Sequence, residues 1–382
     1  MGVYYNGTIH KDLPHEIDRT WSYAPYLAGR DIQYANLYFG KNRVGAACPD
    51  NLNDRWDVVG NKLKAFLRSF KESRVDLNEN CFFDLVPERF LLEFCEMKNK
   101  ITDYVLDNYE KPKNYDFLLE LTKVLEEIKY QKLSTDLSIL NNRIFDFKTK
   151  QVRKKIVNSQ PYIKYDIFGT RTGRLTTQKD SFPILTLAKE YRRVILPKND
   201  WLVEFDFNAA ELRTLIALSG LEQPPEDLHN WNIQNVFKNQ GTREEAKKRV
   251  FAWLYNPEAK DRLLDKAYNR NLVVKKYFDG SHVSTFFGRE IESDKHHALN
   301  YIIQSTTSDL FLDRVIDIFK LLKERKSFVS FFIHDSLVID FSEDDKEILV
   351  KIKEIFSDTK LGKFKVNIAA GRNFGSMKKL KI

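Results

Sequence analysis

Residues Trp201–Gly220 read WLVEFDFNAAELRTLIALSG. In Trp201–Asn208 apolar and polar side chains alternate as in a strand. From Ala209 the apolar spacing becomes helical, and Gly220 supplies the stop. Asp206 stands where strand gives way to helix. Further on, SFVSFFIHDSLVIDF (Ser327–Phe341) reads as two apolar strands around a polar His334–Asp335–Ser336 turn, a hairpin signal. The chain thus places an aspartate at the end of each of two separate apolar strands.

A carboxylate beside an apolar sheet is costly unless it is solvated, paired or metal-bound. Asp206 and Asp335 could converge on divalent cations. Hard oxygen ligands suit Mg²⁺, which takes one or two carboxylates together with substrate phosphates and water. Two such ions about 3.5–4 Å apart clamp the attacking and leaving oxygens of an in-line phosphoryl displacement. The plainer alternative makes Asp206 a helix N-cap and Asp335 a turn residue, since aspartate is favoured in both places.

Between these stretches, Thr242–Tyr255 reads as a helix that stops before Pro257. Arg243, Lys247, Phe251 and Tyr255 recur every four residues and share one face. Glu244 with Lys248, and Glu245 with Arg249, are spaced for local ion pairs on the other face. Arg243 above Lys247 has no acid on its own face, and an anionic ligand such as a triphosphate would relieve that repulsion. The two rings below offer a surface on which a base can stack. Solvated cations above a core-facing aromatic pair would give the same pattern.

The remainder sets bounds. A chain of 382 residues with 42% apolar and 13% aromatic content can bury a substantial core in two or three units. Fifteen Gly and 11 Pro exclude collagen-like and low-complexity classes. No apolar run is long enough for a membrane span, and the N-terminus lacks a signal-peptide layout. Cys48, Cys81 and Cys95 are odd in number and show no CxxC spacing, which fits a reducing cytosol. The net charge of +8 permits a polyanionic partner without requiring one. Residues 1–85 are aromatic-rich and read as a small mixed unit. Glu88–Tyr109 and Tyr115–Leu140 read as two long helices joined by a short polar link. Asn300–Leu322 and Glu343–Phe356 read as two further amphipathic helices.

Together these stretches resemble family A DNA polymerases, the bacterial polymerase I and phage replicase type. DFNAAELRTLIALS is similar to the family's first palm motif through Asp206, Glu211 and Arg213. REEAKKRVFAWLY is similar to its fingers-helix motif through Arg243, Lys247, Phe251 and Tyr255. IHDSL resembles the second palm motif. Thr172–Leu175 (TGRL), Tyr191–Pro197 (YRRVILP), Asp227–His229, Phe287–Glu290 (FGRE), Asn300 with Gln304 and Asp309, and Asn373–Phe374 match further family segments in order. The resemblance covers about 165–382.

It implies an α+β right-hand fold with an antiparallel-sheet palm, helical fingers and a helical thumb. The expected divisions are an N-terminal unit (1–85), a thumb-like hairpin (86–160), a first palm part (161–220), shortened fingers (221–295) and a second palm part (296–382). The implied activity is template-directed addition of deoxynucleotides to a primer 3′ end. Two Mg²⁺ ions, with Mn²⁺ as an alternative, would be held by Asp206, Asp335 and the Phe207 carbonyl. Lys247 and Arg243 would hold the triphosphate, with His229 nearby. Phe251 and Tyr255 would form the floor under the new base pair, and Glu211 would exclude a 2′-hydroxyl. Arg174, Asn300, Gln304 and His334 would line the primer–template minor groove.

Several positions depart from the family pattern. Ser336 replaces the acid that follows the second aspartate, an auxiliary metal-site group in the family. His296 replaces an Arg, Ala209 a Gln, and Ala252 and Asn256 stand for glycines. The N-terminal part shows no apolar strand bearing an Asp-x-Glu pair; Phe82–Glu88 (FFDLVPE) comes nearest. A 3′→5′ exonuclease is therefore not expected within this sequence, and a separate exonuclease or processivity factor would be a further partner. Such a compact form fits a phage genome, acting in the cytoplasm of a bacterial or phage-infected cell. The alternatives are a template-independent or RNA-templated nucleotidyltransferase of the same fold, and a non-catalytic nucleic-acid binder.

Overall fold

Contacts divide the chain into two compact units, Met1–Tyr130 and Gln131–Ile382. The computed structural model describes residues 2–5, 32–35, 44–77, 80, 82–143 and 146–380. Much of the segment 1–85, and Cys81 with it, lies outside these residues.

In the first unit, β1 (Gly2–Tyr5) pairs antiparallel with β2 (Ile32–Ala35). Three helices follow, α1 (Asn53–Glu72), α2 (Glu88–Asn108) and α3 (Tyr115–Tyr130). α1 lies in the segment read from sequence only as a mixed unit. It buries Val59 with Phe90, Leu91 and Met97 of α2, and the rings of Phe66 and Phe90 approach to 4.8 Å. α3 buries Leu118, Leu121, Val124, Leu125 and Ile128, a stripe at helical spacing. It stops at Tyr130 rather than reaching Leu140. Leu133 instead donates its amide to the Pro161 carbonyl, and Ser134–Thr135 pair with Ile195–Leu196. Phe82–Leu85 is a single helical turn, not an apolar strand.

The second unit is built on one antiparallel sheet. α4 (Phe147–Val157) leads to β3 (Trp201–Phe207), the strand expected from the alternating pattern. α5 (Ala210–Leu218), α6 (Leu228–Asn235) and α7 (Arg243–Tyr255) follow, then the long α8 (Ala298–Leu322). The hairpin is β4 (Phe328–Ile333) and β5 (Ser336–Phe341), with His334 and Asp335 as its turn. α9 (Leu349–Ser357), β6 (Val366–Gly371) and β7 (Lys378–Leu380) complete the unit. The strand order is β4-β5-β3-β6-β7, antiparallel throughout, so the two aspartate-bearing strands are neighbours.

Successive side chains of a strand face opposite ways. Val203, Phe205 and Phe207 are buried, while Glu204 and Asp206 point to the other, half-exposed face. On the buried face Phe207 stacks on Phe356 of α9 at 4.3 Å and meets Phe364 at 5.6 Å. Phe311 of α8 bridges Phe356 and Phe332, 6.0 Å from each. Tyr165 stacks on Phe332 and exchanges two hydrogen bonds with its backbone, at 2.7 and 2.8 Å. This aromatic block fixes the height of the sheet beneath the two aspartates. One expected element differs. Glu343–Phe356 is not a single helix, because Glu343–Ile348 is 3₁₀ with a non-helical Asp345. The Asp345 carboxylate is engaged in accepting the Ser327 amide at 2.7 Å.

Candidate active site

The end of β3 turns into α5 through Ala209, which adopts a left-handed φ of 53°. The hairpin turns through His334 at φ 56°. Both are uncommon conformations for residues with a Cβ, and such strain gathers at sites that need a fixed backbone. Each immediately adjoins one of the two aspartate regions. The ladder then sets the register: Asp206 lies between Ser336 on β5 and Asn367 on β6. Asn367 Nδ2 donates to Asp206 Oδ2 at 3.4 Å.

Arg174, Asp206, Phe207, Glu211, His229, Arg243, Lys247, Phe251 and Asp335 line one cleft of about 290 Å³, together with Asn208 and Asn367. They come from the loop after Gly173, from β3, α5, α6 and α7, and from the hairpin turn. Tyr255 does not line the cleft but stacks on Phe251 at 5.8 Å. Asn300 and Gln304, one turn apart on α8, and the exposed His334 also lie outside its lining. Asn300 Oδ1 is buried with no hydrogen-bond partner.

The carboxylates are electrostatically uncomfortable. Burial, then the charge of Asp335, pushes the pKa of Asp206 up to about 7, with Glu204 adding to the effect and Lys247 opposing it. Burial likewise raises Asp335. Neither forms an ion pair among the described residues. Two crowded oxygen donors that oppose each other's ionisation suit a hard divalent cation, whose charge would reverse that penalty. Beside them, Glu211 is paired with the guanidinium of Arg174. Burial raises the Glu211 carboxyl even so.

The cationic stripe of α7 is organised differently from its helix-only reading. Arg243 is not without an acid: it makes a two-pronged contact to Asp227, Nε at 3.1 Å and Nη2 at 2.8 Å. Burial works against ionisation of Asp227. Hydrogen bonds from Arg243, from the Asn230 amide and from Asn208 outweigh it and hold the carboxyl well below its usual range. The expected pairing of Glu245 with Arg249 gives way to stronger local options. Glu245 closes a capping box with Thr242, and Arg249 binds Asp261 at 2.5 and 3.0 Å. Lys247 forms no ion pair among the described residues; its Nζ lies 6.0 Å from the Phe251 ring centre. Burial and the two cations hold His229 near a pKa of about 4, so it is neutral at pH 7.

Asp227 is in turn fixed from β3 and α5. Arg213, fully buried, donates to the carbonyls of Asn208 (2.8 Å), Pro224 (2.8 Å) and Glu226 (2.7 Å). Asn208 donates to Asp227 at 2.7 Å and accepts the Leu228 amide at 2.9 Å. Arg213, Asn208, Asp227 and Arg243 therefore form one chain of contacts from the strand end to the cationic helix. Sequence reasoning gave Asn208, Asp227 and Asn367 no role. Asn208 was adjacent to the motif, but Asp227 and Asn367 reach the site only through tertiary register.

No family model matches the chain, and no curated protein sequence does. Among solved structures, the POL domain of Pol1 from M. smegmatis, in a complex with DNA primer-template and dNTP, is similar in fold. The TM-score is 0.57 at 13% identity, covering 77% of this chain and 76% of that one. The likeness is one of polymerase fold: mixed helices and antiparallel strands arranged as in that POL domain. No helix among the described residues is long and apolar enough to cross a membrane.

Proposed function

We propose that this chain is a template-directed DNA polymerase that adds deoxynucleotides to a primer 3′ end, with no 3′→5′ exonuclease among the described residues. One observation carries the reading. Asp206, Asp335, Lys247, Arg243, Glu211 and Arg174, from separate segments of the chain, meet in a single cleft. A helix cap and a hairpin turn have no need to meet, nor to share a cleft with two cations. The fold likeness to a POL domain adds independent support.

In this reading the sheet with Asp206 and Asp335 is the palm and α7 belongs to the fingers. The thumb assignment of 86–160 remains part of the proposal. Asp206, Asp335 and the Phe207 carbonyl would hold two Mg²⁺ ions, which when bound supply charge neutralisation at the phosphates and activation of the primer hydroxyl. The protein's own groups do the positioning on which phosphoryl transfer depends. Lys247, unpaired within the cleft, receives the triphosphate. Arg243 reaches it from an orientation preset by Asp227, so its guanidinium is directed before the ligand arrives. Neutral His229 donates or accepts beside it without adding repulsion. Phe251, backed by Tyr255, stacks under the incoming base. Glu211, pinned by Arg174, occupies the space below the sugar and disfavours a 2′-hydroxyl. Asn300, Gln304 and His334, with Arg174, are assigned to the minor groove, whose acceptors are nearly alike for all correct pairs.

Extension of a labelled primer–template with dNTPs and Mg²⁺ tests this directly. Templated extension lost in Asp206→Ala supports the proposal. Untemplated addition would instead favour the nucleotidyltransferase alternative. Tight DNA binding without extension by the unmodified protein would leave the non-catalytic binder.

A further inference from the structure

Position 336 carries a serine where the resembling motif has an acid, and the sheet shows what stands nearby. The ladder sets Ser336 directly opposite Asp206. Two residues before Asp206 on the same strand, and therefore on the same face, is Glu204. Ser336 Oγ donates to Glu204 Oε1 at 2.7 Å. The second oxygen, Oε2, has no hydrogen bond among the described residues, and Glu204 forms no ion pair among them. Glu204, Asp206 and Asn367 line a cavity of about 480 Å³, and Asp206 and Asn367 also line the catalytic cleft. Lys189, Arg192 and Lys379 line the same cavity without pairing with Glu204.

We propose that Glu204, oriented by the Ser336 hydroxyl, is the third carboxylate of the metal site, moved from the strand of Asp335 to the strand of Asp206. The proposal rests on the metal-site reading of Asp206 and Asp335 given above. A serine hydroxyl is a poor substitute for a carboxylate toward a hard cation, but it is a good hydrogen-bond donor. By engaging one oxygen of Glu204 it fixes the rotamer and leaves the other oxygen directed along the face that Asp206 occupies. This is how outer contacts orient ligands in metal sites. The site keeps its count of acids while their distribution between the two strands changes. A polar pair that merely decorates the sheet surface would need no charge on Glu204, which separates the two explanations.

The test is binding of Mn²⁺ alone to the full chain, without DNA or nucleotide, followed by the electron paramagnetic resonance signal of the free ion. Glu204→Gln keeps the acceptor oxygen for Ser336 and removes the charge, so the metal-free melting temperature serves as a check of folding. The expected result is a loss of Mn²⁺ affinity of about 10- to 100-fold in Glu204→Gln. Ser336→Ala should lose less, and the double variant Glu204→Gln, Ser336→Asp should recover most of the loss. Undiminished Mn²⁺ binding by Glu204→Gln, with binding lost in Asp206→Ala, overturns the role of Glu204 and leaves the metal-site reading standing. Binding unaffected by Asp206→Ala, or absent from the unmodified protein, overturns both.

Discussion

His229 is held neutral by its setting: burial first, then Arg243 and Lys247, bring its pKa from 6.5 to about 4. In the unfolded chain the imidazole takes up a proton as pH falls below about 6.5. In the folded protein it does so only near 4. The folded state therefore binds fewer protons across this window, and stability falls as pH is lowered through it. The loss from this one group is up to roughly 3 kcal/mol. Urea midpoints measured between pH 4 and 6.5 should fall less steeply for His229→Gln than for the unmodified protein; equal slopes would contradict the assignment. At this scale the sequence reveals the charges but not their partners. Asp206, Asp335, Arg243 and Lys247 stand out through local spacing. The Asp227–Arg243 and Ser336–Glu204 contacts do not, since each joins side chains that only folding brings together.

The loop carrying Arg174 is set by an element contact that its motif does not reveal. Arg289 is clamped two-pronged on the fully buried Asp309 of α8, at 3.2 and 2.8 Å. Its guanidinium lies over Gly173, where an added Cβ would collide with it. Gly173 has φ +77°, and its carbonyl accepts from Ser308 Oγ at 3.1 Å. Gly220, with φ +73°, faces open space. Both Gly→Ala changes carry left-handed strain of about 1–3 kcal/mol, and Gly173→Ala adds the collision. Denaturant midpoints should therefore drop further for Gly173→Ala than for Gly220→Ala, and only the former should weaken primer–template binding. Equal effects on both measures would contradict a positioning role for this contact. The elements themselves were largely legible: β3, α5, α7, α8 and the hairpin follow from periodicity and stop signals. The ends that were misjudged, at Tyr130 and at Glu343–Ile348, are places where a tertiary hydrogen bond or a strand pairing overrides the apolar pattern.

For the whole molecule, the +8 charge acquires a location, with Lys247 and Arg243 at the cleft that Asp206 and Asp335 also line. Duplex binding that depends on phosphate contacts releases counterions. With six or more contacts, affinity should fall by roughly a thousandfold or more between 50 and 200 mM salt. A flat salt response in a fluorescence anisotropy titration would argue against a phosphate-tracking surface. The order of motifs along the chain was readable and pointed to a polymerase hand. The strand order β4-β5-β3-β6-β7 was not, because its central pairings join residues more than a hundred positions apart. Those pairings build the site, since they place Asp206 next to the hairpin that ends in Asp335. The claim that this convergence makes a templated transfer site meets its most direct test in single-nucleotide incorporation. Each dNTP is offered in turn to one primer annealed to four templates differing in the first unpaired base. The account predicts addition of the complementary nucleotide in each case, and none by Asp335→Ala. Addition of the same nucleotide on all four templates, or undiminished addition by Asp335→Ala, would contradict it.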